Sequence, residues 1–264
     1  MKKILFLSML VWMCINQSDL NAQDLTALEI MTKSDQEINS DNEYATLTMK
    51  LINSRGKERS RQIEQYIKTD EADNRSSLIK FLAPGDVKGT GFLSIEYSDQ
   101  KDVQWLYLPA LRRSRRISAS DESDNFMGSD FTYEDMEREE LEAYDYTLLG
   151  TVSVDGADCY HIQAVPNNDK KRKNSGYGRR EIMVRKDNFI IAQIDYFDKK
   201  DKAIKTYKAS DIKQVEGSSK WRVYKMEITN LKTQHKTVLA FDEYVIDAPI
   251  KEDLFTKRYL ESAD

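Results

Sequence analysis

Tyr44-Ala45-Thr46-Leu47-Thr48-Met49-Lys50-Leu51 is the stretch that decides the fold. Ala45, Leu47, Met49 and Leu51 take one phase of a period of two; Tyr44, Thr46, Thr48 and Lys50 take the other. Successive side chains of a strand point to opposite faces, so the pattern specifies a strand with one apolar side. Outward from it, similar stretches fall at 59–68, 74–82, 91–97 and 102–108. After a long break come 143–150, 158–165, 179–185, 189–197, 203–213, 220–231 and 236–245. Tyr160, Ile162 and Ala164 share a face, as do Ile190, Ala192, Ile194 and Tyr196. Turn residues punctuate the series at Asn53-Ser54-Arg55-Gly56, Val154-Asp155-Gly156, Asp198-Lys199-Lys200-Asp201 and Glu216-Gly217-Ser218-Ser219. Regular strands joined by short turns predict one large, strongly curved antiparallel sheet.

Upstream of this stretch the period is helical. Thr26-Ala27-Leu28-Glu29 has capping-box spacing, and Ala27, Ile30, Met31 and Ile38 lie on one side of the helix that follows. Before it, basic Met1-Lys2-Lys3 leads into an apolar run from Ile4 to Ile15, and Leu20-Asn21-Ala22 supplies a cut site. That three-part order is a secretory signal peptide over residues 1–22, cleaved after Ala22. The run is too short to span ~30 Å of hydrocarbon. Residues 23–264 are expected to form a single domain, since no linker rich in Pro, Gly or Ser divides them. Phe255 to Leu260 is expected to close the chain as a short helix.

Charge and cysteine content narrow the function. The chain carries 40 Lys+Arg against 45 Asp+Glu, a net charge of -5, with both signs interspersed, and this excludes a nucleic-acid binder. Cys14 leaves with the signal, so Cys159 is alone and no internal disulfide forms. A chain secreted without disulfides stands on its core, and this one is long enough to build one.

One connection is out of scale. Between Leu108 and Glu142 lie over thirty residues, the length of a functional loop, and Phe126, Met127, Phe131, Tyr133 and Met136 argue that it packs. A second loop holds Asp169-Lys170-Lys171-Arg172-Lys173, which reads as a solvated hairpin tip. Catalytic constellations are weak. Cys159 and His161 share a strand face, but the plainer account is two residues on its polar side. Metal ligands are too few for zinc, and Gly85-Asp86-Val87-Lys88-Gly89-Thr90-Gly91 has neither phosphate-loop spacing. Asp121, Glu122, Asp124, Asp130, Glu134 and Asp135 lie downstream of Arg112, Arg113, Arg115 and Arg116, so mutual neutralisation is the simpler reading than paired-carboxylate chemistry. The expectation is a binding protein, not an enzyme, with no cofactor and no metal. A half-open barrel with an apolar face suits an apolar ligand, and the 14 tyrosines with Trp105 and Trp221 fit a cavity wall.

The run Asp102-Val103-Gln104-Trp105-Leu106-Tyr107-Leu108-Pro109-Ala110-Leu111-Arg112-Arg113-Ser114-Arg115-Arg116-Ile117 continues with Phe126-Met127-Gly128-Ser129-Asp130-Phe131-Thr132-Tyr133-Glu134-Asp135-Met136. Together with Phe81-Leu82-Ala83-Pro84-Gly85-Asp86-Val87-Lys88-Gly89-Thr90-Gly91, it resembles the outer-membrane lipoprotein-sorting protein family, the LolA-like periplasmic group. The resemblance implies a mainly β (α+β) fold: an incomplete antiparallel barrel, here of about eleven or twelve strands, wrapped around helices. It implies a monomeric periplasmic carrier whose partner is an acylated lipoprotein or lipid. An alternative role is a sensor, or an accessory subunit of an inner-membrane exporter of the resistance-nodulation-division type. On the carrier reading, Trp105, Tyr107 and Leu108 belong to the lipid-binding wall, and Phe126, Met127, Phe131 and Met136 to a lid. Arg112, Arg113, Arg115 and Arg116 either latch that lid through Asp130, Glu134 or Asp135, or meet a head group.

Overall fold

Strand β1 (Asn42–Ile52) runs through the middle of the molecule, with Ala45, Leu47, Met49 and Leu51 buried as their spacing predicts. The computed structural model describes residues 25–262; the signal peptide expected at residues 1–22 lies outside them. After β1 come β2 (Glu58–Thr69), β3 (Arg75–Ala83), β4 (Gly91–Glu96), β5 (Val103–Leu108) and β6 (Arg113–Arg116). The second half supplies β7 (Tyr144–Val154), β8 (Ala157–Pro166), β9 (Arg179–Arg185), β10 (Ile191–Phe197), β11 (Ala203–Gln214), β12 (Trp221–Asn230) and β13 (Lys236–Ile246).

All of these strands join one antiparallel sheet in the order β6-β5-β4-β3-β2-β1-β13-β12-β11-β10-β9-β8-β7. Every ladder joins strands consecutive in sequence except one, the pairing of β1 with β13 that unites two meanders. The sheet ends at β6 and β7, which do not pair with each other, so the barrel stays open. Even so, its ends come round to face one another. Asp102, Gln104 and Arg116 from one end line a single pocket with Asn168, Lys170 and Lys171 from the other. Among the described residues the strand count is 13, where about eleven or twelve were expected. The added strand, β6, reads Arg-Ser-Arg-Arg and has no apolar alternation to reveal it. Arginines on an exposed edge strand also hinder pairing with another chain.

Helix α1 (Ala27–Ile38) starts at the expected capping box: Glu29 N donates to Thr26 Oγ1 at 3.2 Å and Thr26 N to Glu29 Oε2 at 2.7 Å. Ala27, Ile30 and Met31 pack against Ile162, Ala164, Ile182 and Val184 of β8 and β9. On the other meander the same role falls to the long connection. Phe126, Phe131 and Tyr133 join Leu47, Ile63, Phe81, Phe92 and Leu106 in the largest core cluster. Thus the sheet encloses one helix and an irregular plug, where helices were expected.

The opposite face of β3–β5 is covered as well. Leu78, Leu93 and Tyr107 pack under Phe255 and Leu260, the latter in helix α3 (Lys257–Glu261), which forms where a closing helix was expected. Leu260 sits so close to Gly91 that a Cβ there would lie 2.6 Å from Leu260 Cδ1. The charged run expected as a plain hairpin tip instead folds into helix α2 (Asp169–Asn174), capped by Asn168, whose Oδ1 accepts from Lys171 N at 2.9 Å. No helix among the described residues is long and apolar enough to cross a membrane.

Candidate functional site

The concave face is not filled completely. Between the end of α1, the plug and the sheet lies a cavity of about 400 Å³. Its apolar wall comes from alternate residues of central strands: Leu47 and Met49 on β1, Ile63 and Ile67 on β2, Ile79 on β3, Met226 on β12, Leu239 and Phe241 on β13. Phe126, Phe131 and Met136 of the plug close one side. Tyr207 on β11 also lines it, with its hydroxyl pushed above the usual range by burial.

A charged rim surrounds this wall. Arg138 ties the plug to α1 and to the β2–β3 turn through Asp35 at 2.7 Å and Asp73 at 3.1 Å. Arg180 pairs with Glu139 and stands over the Tyr144 ring at 4.3 Å; burial opposes its charge, but Glu139, Tyr144 and Tyr196 together hold its pKa above the usual value. Arg222 and Glu43 form a further buried pair at 2.7 Å. The cavity is therefore apolar in its body, and each of these three arginines has a carboxylate partner, while Arg180 Nε is left without a hydrogen-bond acceptor.

The rim continues into a second, polar pocket of about 650 Å³ at the seam between the sheet ends. Glu137 and Lys171 line both spaces. Glu137 Oε1 accepts from Gln104 Nε2 at 2.9 Å. Burial, with the nearby Glu122 charge adding to it, pushes the Glu137 carboxyl up to about 8. Burial also raises Glu122 and Asp102, against the opposing charge of Lys170 and Lys171.

The sequence-derived site residues separate into three groups. Phe126, Phe131 and Met136 line the cavity, while Leu108 and Met127 pack against the same core cluster. Trp105 and Tyr107 are placed elsewhere: they occupy the other face of β5, in the cluster under the C-terminal segment, and Lys257 Nζ stands 4.5 Å from the Trp105 ring centre. Both faces of β5 are apolar, so alternation could not say which one is concave.

The expected latch from the arginines to Asp130, Glu134 or Asp135 is corrected by the structure. Arg112 and Arg113 are exposed, Arg115 meets Asp121 at 3.5 Å, and Arg116 donates to Asp102 O at 3.5 Å. The acidic residues reach across the concavity instead. Asp130 bonds His235 Nδ1 at 2.6 Å and Thr237 Oγ1 at 2.8 Å. Asp135 pairs with Lys205 Nζ at 2.5 Å and accepts from Tyr177 Oη at 2.9 Å. Glu134 accepts from Gly176 N at 3.1 Å and lies 3.7 Å from Lys171 Nζ. The reason is topological: β6 lies on the rim, and the chain leaves it to cross toward β11–β13. Cys159 is buried beside Met183 and Ala192, while His161 bonds Glu181 at 3.0 Å, so the two make no pair.

A family model described as an uncharacterized protein matches residues 73–262. No curated protein matches the chain. Among solved structures, a DUF1329 family protein from Desulfovibrio piger is 33% identical, with a TM-score of 0.82, covering 89% of this chain and 97% of its own. A domain from Vibrio parahaemolyticus, provisionally assigned as an outer membrane lipoprotein-sorting protein, is 30% identical with the same TM-score, covering 89% of this chain and 98% of its own. A LolA superfamily protein from Nitrosomonas europaea shares the fold at 17% identity and a TM-score of 0.67, covering 89% and 99% of the two chains. Identity of 30–33% along nearly whole chains, on a fold shared with the LolA superfamily protein, shows that the chain belongs to the LolA-like family of outer-membrane lipoprotein-sorting proteins.

Proposed function

We propose that the chain is a periplasmic carrier that binds the acyl chains of a lipoprotein or lipid and passes them towards the outer membrane. The observation that carries this reading is the cavity between the two meanders, with its aliphatic and methionine wall. At about 400 Å³ it stands at the small end of ligand sites, with room for one chain-sized ligand. Each methylene moved from water into such a wall contributes about 0.8 kcal/mol, so about ten of them, the length of an acyl chain, supply the roughly 8 kcal/mol of micromolar binding without any catalytic group. Methionine suits the role because its flexible thioether adapts to chains of differing shape.

Native mass spectrometry of protein taken from the periplasm tests the reading. The expected spectrum has the mass of Gln23–Asp264 with lipid adducts, and the stripped protein is expected to bind a fluorescent fatty-acyl probe. Protein that carries no lipid and leaves the probe unbound would overturn the carrier assignment.

A further inference from the structure

The seam pocket also holds unmet polar chemistry. Gln104 is 4% exposed and lines this pocket, yet its Oε1 has no hydrogen-bond partner. Its amide nitrogen is used, donating to Glu137 Oε1. A buried carbonyl oxygen left without a donor is costly, and such an atom at a pocket wall marks a place where a ligand donor fits. Around it stand Glu122 and Glu137, two further acceptors, and Arg116, Lys170 and Lys171, three cations. Both signs thus line one space, a pattern that complements a zwitterion better than a single charge.

We propose that this pocket holds the polar head of the carried amphiphile, and that the head is of the phosphoethanolamine class. Its primary ammonium donates to Gln104 Oε1 and the Glu122 and Glu137 carboxyls; its phosphate faces Arg116 and Lys170. The inference rests on the acyl-carrier reading, because Glu137 and Lys171 border both spaces and a tail leaving the head between them enters the cavity. An ammonium at this position also adds to the counter-charge that Lys171 alone gives the buried Glu137, whose pKa is raised by burial and the Glu122 charge. A head with three N–H donors satisfies the orphaned oxygen; a quaternary ammonium has none to offer.

The test uses the full mature chain loaded with a fluorescent fatty acid, displaced by three lipids with identical short acyl chains and phosphoethanolamine, phosphocholine or phosphoglycerol heads. The phosphoethanolamine lipid is expected to displace the probe at about tenfold lower concentration than the phosphoglycerol lipid, equivalent to about 1.4 kcal/mol. Phosphocholine is expected to compete more weakly than phosphoethanolamine. Glu122→Gln is expected to shrink the preference to about threefold or less, with the probe's own affinity reporting whether the cavity is intact. Equal displacement by all three heads, or a preference for phosphoglycerol, overturns the head-group inference and leaves the carrier reading standing. A probe that never binds overturns both.

Discussion

Phe126→Ala distinguishes a plug from a lid. Phe126 is 1% exposed, and its ring centre lies 5.2 Å from that of Phe92, 5.7 Å from Tyr133 and 6.1 Å from Phe81. Truncating a buried phenylalanine removes its transfer free energy and leaves a cavity, together about 3–5 kcal/mol. In a domain of this size each kcal/mol moves Tm by about 2–4 °C, so the variant is expected to melt about 6–20 °C below the parent. Urea unfolding followed by circular dichroism gives the same quantity independently, provided the slope m is unchanged. The probe affinity of the still-folded protein is expected to change less, because most of the wall comes from β1–β3 and β12–β13. A Tm within about 3 °C of the parent, together with loss of probe binding, would refute the argument. The loop would then be a lid whose contacts are made with cargo.

Three further outcomes follow from buried polar groups. Lys205→Met leaves Asp135 charged and without its partner in a site where both side chains are under a tenth exposed; a loss of about 3–5 kcal/mol in denaturant titrations is expected, partly recovered by adding Asp135→Leu. Glu137→Gln is expected to stabilise progressively relative to the parent as pH rises from about 4.5 to about 8. The folded state holds this proton above the unfolded value, so the parent loses stability through that window and melting curves at several pH values should diverge; parallel curves would refute the assignment. Cys159 is buried with its thiol pKa raised by that burial, so a thiol reagent should modify it only in denaturant, and Cys159→Ala should keep the fold.

The strands with a polar side, such as β1, were legible because burial on one face imposes a period of two. β6 was not, since an arginine-covered edge strand carries no apolar phase and pairs with β5 on one side only. The cavity was foreseeable as an apolar concavity, and Phe126, Phe131 and Met136 were foreseeable as its cover because aromatic residues in a long loop must be buried somewhere. The partners of that cover were not. Lys205 and His235 are 70 and 105 residues away from Asp135 and Asp130, and nothing local marks a single lysine or histidine on a strand as the one that turns inward. Trp105 and Tyr107 show a related limit. Alternation separates them correctly from Leu106 and Leu108, but only the C-terminal segment, folded back over the sheet, makes their face an interior.

The unpaired ends of the sheet bear on how such a container can be loaded. In a closed barrel, widening the interior breaks a ladder of backbone hydrogen bonds along a whole strand. Here β6 and β7 share no ladder, and the wall is a spring with its ends apart, bridged by side chains and the crossing plug. Arg138 reaching Asp35 and Asp73, and Lys171 near Glu134, are clasps of this kind, each separable without disturbing a single strand pairing. On the carrier reading proposed above, the resting volume would then set a lower bound on what the protein holds, and cargo bulkier than the empty space would enter by uncurling of the sheet while both meanders stay folded.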